Sequence, residues 1–489
     1  MYGSKLLELV SSFPKNKLEN ITDFLSSPYF NKDVNITKLF NYIAKYIKNP
    51  KNKHLEAQKV FEVLFPREEY IKSRMDQLKT ALVKQIENYI VHSDLDKKNY
   101  ENELKRKLIL ARFYLDQNKE NRFRSTYSSI VRTQSDYAYK NEAYYFHEYQ
   151  LADLQSKALG LKQKREGNNN LDEVNHQLDN YYLTQKLKLI CASLNVKTLT
   201  NAAFDLDLVD EVLSHVEKTQ KHSMSSGYIG IYYQMANFLL KQNTEESTNL
   251  AEEQAFDVLK TSFENYSQAL HPRDARDFLT YSTNYCIVRV LKGNVNFYEK
   301  MFDIYDIGLK KKTIFINGQL MHTDYKNIVT VGLRVGKYDW VENFIEQYKE
   351  TVGDDYQTDV YNISLAIMLF EKKEYDQITD ILTQANFKDI YYRCDARTLL
   401  IKAYYELQDF DLLEREIDNF RIFLLRSKLS TRHKKSHHNF NNFVRDLLKI
   451  DSYQGDKKIK KLKDKIKKPK ELVDVKWLSE KLACLEKSK

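Results

Sequence analysis

Glycine and proline are scarce in this chain, 12 and 6 in 489 residues. Glycine supplies the positive-φ turns of hairpins and phosphate loops, and proline sets many tight turns, so sheets and Gly-rich nucleotide cradles have little to be built from. The four cysteines, Cys191, Cys286, Cys394 and Cys484, stand far apart with no C-x-x-C pair. Neither a zinc knuckle nor a disulfide framework is expected, and each reads as a small apolar packing residue. Long hydrophobic runs are missing as well. "YNISLAIMLF" reaches about half a membrane span, and "MYGSKLLELVSSFPK" has no long apolar run or small-residue cleavage site, so the sequence predicts a cytoplasmic protein with no membrane span.

Chemistry-bearing motifs fail on spacing. "HEYQL" at His147 opens like a zinc-protease helix but has Leu151 where the second ligand belongs, so no two-ligand face forms. "GKY" at Gly336 lacks the upstream glycine and the following Ser or Thr of a P-loop. His433 and His437 in "RHKKSHH" lie four apart, as a metal pair does, but without a nearby carboxylate or thiolate and among lysines that repel a cation. These histidines would add positive charge below about pH 6.5. In "HPRDARD", residues 271–277, Asp274 with Arg276 or Asp277 with Arg273 could form a phosphate or carboxylate clamp; the ordinary reading is local ion pairing and N-terminal charge compensation. No catalytic residue, metal ligand or cofactor is expected, and the chain reads as non-enzymatic.

What is present is 42% hydrophobic residues, 13% of all residues aromatic, and 30% charged residues, enough to fill a core and clothe the outer faces of amphipathic helices. The net charge of +9 is concentrated: residues 426–470 hold 16 Lys and Arg against four Asp, leaving the first 425 residues slightly acidic. Within that segment "DKKIKKLKDKIKK" puts Ile459, Leu462 and Ile466 on one helical face, with Pro469 as the stop.

Apolar periodicity predicts helices almost throughout. In "DFLSSPYFNKD", Pro28 ends one helix, Asn31 or Asp33 caps the next, and Tyr29 and Phe30 are expected to plug the gap between them. Polar joints are expected at "KQKREGNNNLDE" and "KQNTEESTN". Between residues 275 and 426 a turn recurs: "LKGNVNFYEKMF", "LRVGKYDWVENFI", "FEKKEYDQITDIL" and "YELQDFDLLEREI". Its anchoring aromatics, Phe297, Tyr338, Tyr375 and Phe410, are spaced by 41, 37 and 35 residues, and "DQNKENRFRSTYSSI" around Phe123 reads as an earlier copy.

These units resemble tetratricopeptide repeats in carrying a small or polar residue and an aromatic at the turn of each helix pair. They depart from that pattern in lacking a terminal proline, and Gly293 and Gly336 have no counterpart in the last two copies. The ends, "LENITDFLSSPYFNKDVNITKLFNYI", "VFEVLFPREEYIKSRMDQLKTAL", "LSTRHKKSHHNFNNFVRDLLKI" and "VDVKWLSEKL", resemble segments of an uncharacterised bacterial all-helical family of about this length. That likeness implies one elongated helical protein ending in a helix anchored by Trp477 and Leu478, and implies no activity.

The reading is an all-α fold: a right-handed α-solenoid of antiparallel helix pairs over residues 96–426, with an N-terminal helical cap at 1–95 and a basic C-terminal helical cap at 427–489. The expected function is a protein-protein interaction scaffold holding a partner segment in the repeat groove, with Tyr338, Tyr375, Tyr404 and Tyr405 as contact residues. The competing reading is nucleic-acid association through Arg432, Lys434, Lys435, Lys457, Lys458, Lys460 and Lys461.

Overall fold

The computed structural model describes residues 4–487 apart from 48–52, 163–169, 201–203, 220–226, 242–248, 450–454 and 467–471. Most of both polar joints and the Pro469 stop lie outside the described residues. Among the described residues every element is helical, with only two isolated β-bridges, Ile316 to Gln319 and Leu320 to Val352. The chain divides into two compact units, Met1–Tyr137 and Ala138–Lys489.

The first unit contains α1 (Lys5–Ser11), α2 (Lys15–Ser26), α3 (Val34–Tyr46), α4 (Ala57–Leu64), α5 (Lys72–Leu95), α6 (Tyr100–Asp116) and α7 (Glu120–Ser135). Helices α1 to α5 enclose a core that includes Val10, Ile21, Phe40, Phe61, Leu82 and Ile86. At the α2–α3 corner Asp33 is the N-cap, its carboxylate accepting from the Asn35 amide at 2.8 Å. Asn31 is buried and donates to the Leu25 carbonyl at 2.9 Å. Phe30 fills the corner, stacked on Phe24 at 4.2 Å, but Tyr29 is 86% exposed. The expectation of two plugging rings is corrected to one, because Asn31 and Phe30 already close the corner.

The second unit runs through α8 (Glu142–Lys162), α9 (Leu171–Thr200), α10 (Val209–Thr219), α11 (Tyr228–Lys241), α12 (Asn249–Tyr266) and α13 (Pro272–Leu291). It continues with α14 (Phe297–Lys310), α15 (His322–Arg334), α16 (Tyr338–Tyr348), α17 (Gln357–Glu371), α18 (Tyr375–Gln384), α19 (Ile390–Leu407) and α20 (Phe410–Arg426). The basic end forms α21 (Thr431–Leu448), α22 (Gly455–Ile466) and α23 (Val475–Lys487).

The recurring sequence turn is a recurring backbone motif. At Gly293, Gly336, Lys373 and Gln408 the chain turns left-handed, with φ of 101°, 72°, 63° and 57°. In each case the next amide reaches back five residues: Asn294 to Arg289, Lys337 to Gly332, Glu374 to Leu369 and Asp409 to Tyr404, all within 2.9–3.0 Å. This is the Schellman closure, which satisfies carbonyls left open at a helix end. The early copy has it too, with Asn118 at φ 54° and Lys119 bonded to Tyr114 at 2.8 Å. Lys373 and Gln408 thus stand where the first two units have glycine.

The expected aromatic anchors are corrected by burial. Phe297 is fully buried, but Tyr338 is 39% and Phe410 50% exposed. The anchoring position in the later units lies three residues on, at Val341, Ile378 and Leu413, each fully buried; one turn into a helix, the side chain points back onto the preceding helix. Gly332 lets α15 approach α16, since a Cβ there would lie 2.5 Å from Val341 Cγ2. From α13 to α20 each helix packs on its successor, and α17 also packs on both α15 and α19.

Candidate functional site

A relay of ion pairs joins α9, α13, α15, α19 and α20. Lys188 on α9 bonds Asp274 on α13 at 2.7 Å. Two residues on, Arg276 pairs with Asp324 on α15. Two further on, Lys326 pairs with Asp395 on α19 at 2.7 Å, and Arg397 closes the series on Glu416 of α20 at 2.6 Å. A carboxylate facing back and a cation facing forward recur in Asp274-x-Arg276, Asp324-x-Lys326 and Asp395-x-Arg397, so that α13 ties α9 to α15, α15 ties α13 to α19, and α19 ties α15 to α20, passing over α17. The local pairing expected within "HPRDARD" is therefore corrected: Asp274 and Arg276 both bond other helices, Asp274 to Lys188 of α9 and Arg276 to Asp324 of α15.

The relay is deepest at α9 and α13. Asp274 is 1% exposed and also accepts from the Tyr232 hydroxyl at 3.0 Å, while Glu142 accepts from Tyr228 at 3.1 Å and from Lys188 at 3.0 Å. Burial disfavours the Lys188 ammonium, but the bonds to Asp274 and Glu142 outweigh it and raise its pKa. Burial also opposes ionisation of Glu142, yet its backbone hydrogen bond and Lys188 hold it below the usual range. Among the described residues Asp277 has no such bond: burial pushes its pKa up, with Asp274 and Glu142 adding to the shift.

Three of the four thiols are moved away from reactivity. Burial raises the Cys191 and Cys286 thiols and lifts Cys394 to about 12. His322, stacked on Tyr356 at 4.0 Å and with Nδ1 2.7 Å from the Tyr392 hydroxyl, is lowered by burial. Among the described residues no group of three His, Cys, Asp or Glu side chains converges to hold a metal, and no helix is long and apolar enough to cross a membrane.

The four tyrosines have unlike fates. Tyr338 opens α16 and is 39% exposed; Tyr375 opens α18 half-buried, edge-on to Phe370 at 5.4 Å. Tyr404 is buried, and Tyr405 meets the Trp477 ring edge-on at 5.3 Å. The chain's own α23 and the residue before it cover this part of α19. Trp477 Nε1 donates to Glu406 at 2.6 Å, Lys481 reaches the same carboxylate at 2.6 Å, and buried Lys402 pairs with Asp474 while lying 3.8 Å over the Phe370 ring. Tyr404 and Tyr405 are thus taken up by internal packing.

In the basic segment Ile459 and Leu462 are buried and Ile466 packs against the core, as their spacing predicts, leaving Lys460 and Lys461 exposed. The side chains of Lys457 and Lys458 lie outside the described residues. Arg432 and Lys435 are exposed and Lys434 is half-buried on α21. Several cations nearby are matched internally: Lys463 with Glu486 at 2.6 Å, Lys465 with Asp446 at 2.7 Å, and Arg445 with Asp418. His437 is buried and burial lowers its pKa, so it does not join exposed His433 in a pH-dependent anion surface.

No protein-family profile, curated protein or solved structure matches this chain. The likeness to tetratricopeptide repeats and to the bacterial family rests on the chain's own residues; the all-helical architecture rests on the structure.

Proposed function

We propose that this chain is a non-enzymatic interaction protein, an α-solenoid of antiparallel helix pairs that holds a segment of a partner protein. The observation that carries the reading is the same Schellman turn, at Gly336, Lys373 and Gln408, followed two residues on by Tyr338, Tyr375 and Phe410. These three rings open the second helices of successive pairs and remain exposed or half-buried. Repetition of one helical unit favours extended binding surfaces, and rigid aromatic rings supply contact area at low entropy cost. The contact row is therefore Tyr338, Tyr375 and Phe410 rather than Tyr404 and Tyr405. The test places a photo-crosslinking residue at position 338 or 410 of the full chain in its native lysate, with exposed Tyr29 as the control position. One stoichiometric protein adduct from both repeat positions and none from the control is expected; the same adduct pattern at all three positions, or none, would overturn the reading.

A further inference from the structure

Helix α9 is apolar on two faces, and only one of them is covered. Its inner face, through Leu183, Leu187, Ile190, Cys191 and Leu194, is buried in the core. Its outer face carries Leu171, Leu178, Tyr182, Leu189 and Val196 at 56, 43, 42, 55 and 40% exposure. With Asn175, Gln185 and Ala192 these residues follow alternating steps of four and three along all of the helix, the 3.5-residue period of a coiled-coil seam. An apolar stripe of that length, about 38 Å, is uncommon on a surface with no partner.

The seam is complementary to itself. If a second copy of α9 lies antiparallel across a two-fold axis between Leu183 and Thr184, Leu171 meets Val196, Leu178 meets Leu189, Asn175 meets Ala192 and Tyr182 meets Gln185, each layer occurring twice. On the flank, the same operation sets Asp179 against Lys186 of the second copy, and Lys186 against its Asp179. Among the described residues Lys186 has no ion-pair partner, and Asp179 only accepts from Asn175 at 3.2 Å. A parallel pairing would instead place Asp179 against Val174 and Lys186 against Tyr181, wasting both charges. On the other flank Tyr181 is already packed on Phe146 at 5.1 Å, a firm border to the seam.

We infer that α9 is the interface of an antiparallel homodimer, formed by the 171–196 seam and closed by the reciprocal Asp179–Lys186 pairs. The occupant is a second copy because apolar layers and charges match under one symmetry operation. A seam of eight positions is small for an interface, so a weak dimer that dissociates on dilution is expected.

Sedimentation velocity on the full chain across a concentration series tests this. The native chain is expected to dimerise. Asp179→Lys alone or Lys186→Asp alone, each creating two like-charge contacts, should weaken dimerisation about 30-fold. An equimolar mixture of these two variants should recover a heterodimer, since opposite charges face each other again. Leu189→Glu, with circular dichroism confirming an unchanged fold, should leave only monomer. A native chain that stays monomeric to ~100 µM, a dimer indifferent to the charge reversals and to Leu189→Glu, or single variants that fail to recover on mixing would each overturn the inference.

Discussion

Substituting Asp474 by Asn while leaving Lys402 in place should release α23 from its seat. The Lys402 side chain is 8% exposed and Asp474 21%, so removing the carboxylate charge strands an ammonium away from water. Breaking a buried pair from one side costs about 3 kcal/mol. Asn is the right replacement because Asp474 has φ of 49°, a left-handed conformation that Asn tolerates. Lys402→Met keeps the volume over Phe370 and leaves Asp474 facing partly to solvent, a loss of about 1 kcal/mol. The double variant should return within about 1 kcal/mol of the native protein, since neither charge is stranded. Amide hydrogen exchange over Val475–Lys487 reads the opening of α23 directly: about 100-fold less protection in Asp474→Asn, a small change in Lys402→Met, and recovery in the double variant. Equal losses in the two single variants, or no recovery in the double, would refute the argument from stranded charge.

Other consequences follow from the turns, the relay and the cysteines. Lys373→Gly, relieving a left-handed non-glycine residue at φ 63°, should stabilise the protein by about 0.5–1 kcal/mol, and Gly336→Ala at φ 72° should cost about 1 kcal/mol, both read as shifts in urea midpoint. Glu142, whose folded pKa lies below its ordinary 4.5, contributes stability that is complete above that value and is lost as pH falls through the folded pKa. Lys188, raised above 10.5, contributes stability that is complete below 10.5 and is lost as pH rises through the folded pKa. Thermal melting against pH should therefore show both losses, and Lys188→Met should shrink them; unchanged limbs would count against the relay. Of the four cysteines only exposed Cys484 should react quickly with a thiol reagent at neutral pH, and a native titration giving two or more thiols would contradict the burial of Cys191, Cys286 and Cys394.

Features set by neighbours in sequence were legible before the structure. Pro28 and Asp33 mark real helix boundaries, Ile459 and Leu462 face inward, and the turns before Tyr338, Tyr375 and Phe410 share one geometry. Each depends on residues within about two helical turns, where periodicity and capping chemistry act. The relay was hidden because its partners lie far apart in sequence: Lys188 and Asp274 are 86 positions apart, Lys326 and Asp395 69. The one available signal was the repeated Asp-x-cation near the start of α13 and α15 and one turn into α19. Lys373 and Gln408 concealed their left-handed turns, since side chains disfavour that conformation and tertiary packing imposes it here. The adjacent Tyr404 and Tyr405 could not be assigned to core or surface from spacing, because what covers Tyr405 is Trp477, more than seventy residues away.

The central claim is that the row Tyr338, Tyr375 and Phe410 holds a partner protein. Its most direct test is quantitative affinity capture by the full chain, compared with a Tyr338→Ser, Tyr375→Ser, Phe410→Ser variant whose helix content is unchanged. A stoichiometric protein held by the native chain and weakened at least about 100-fold by the triple substitution is the predicted result, two to three hot-spot rings being worth that much. A partner retained with undiminished affinity, or no stoichiometric partner for the native chain, would contradict it.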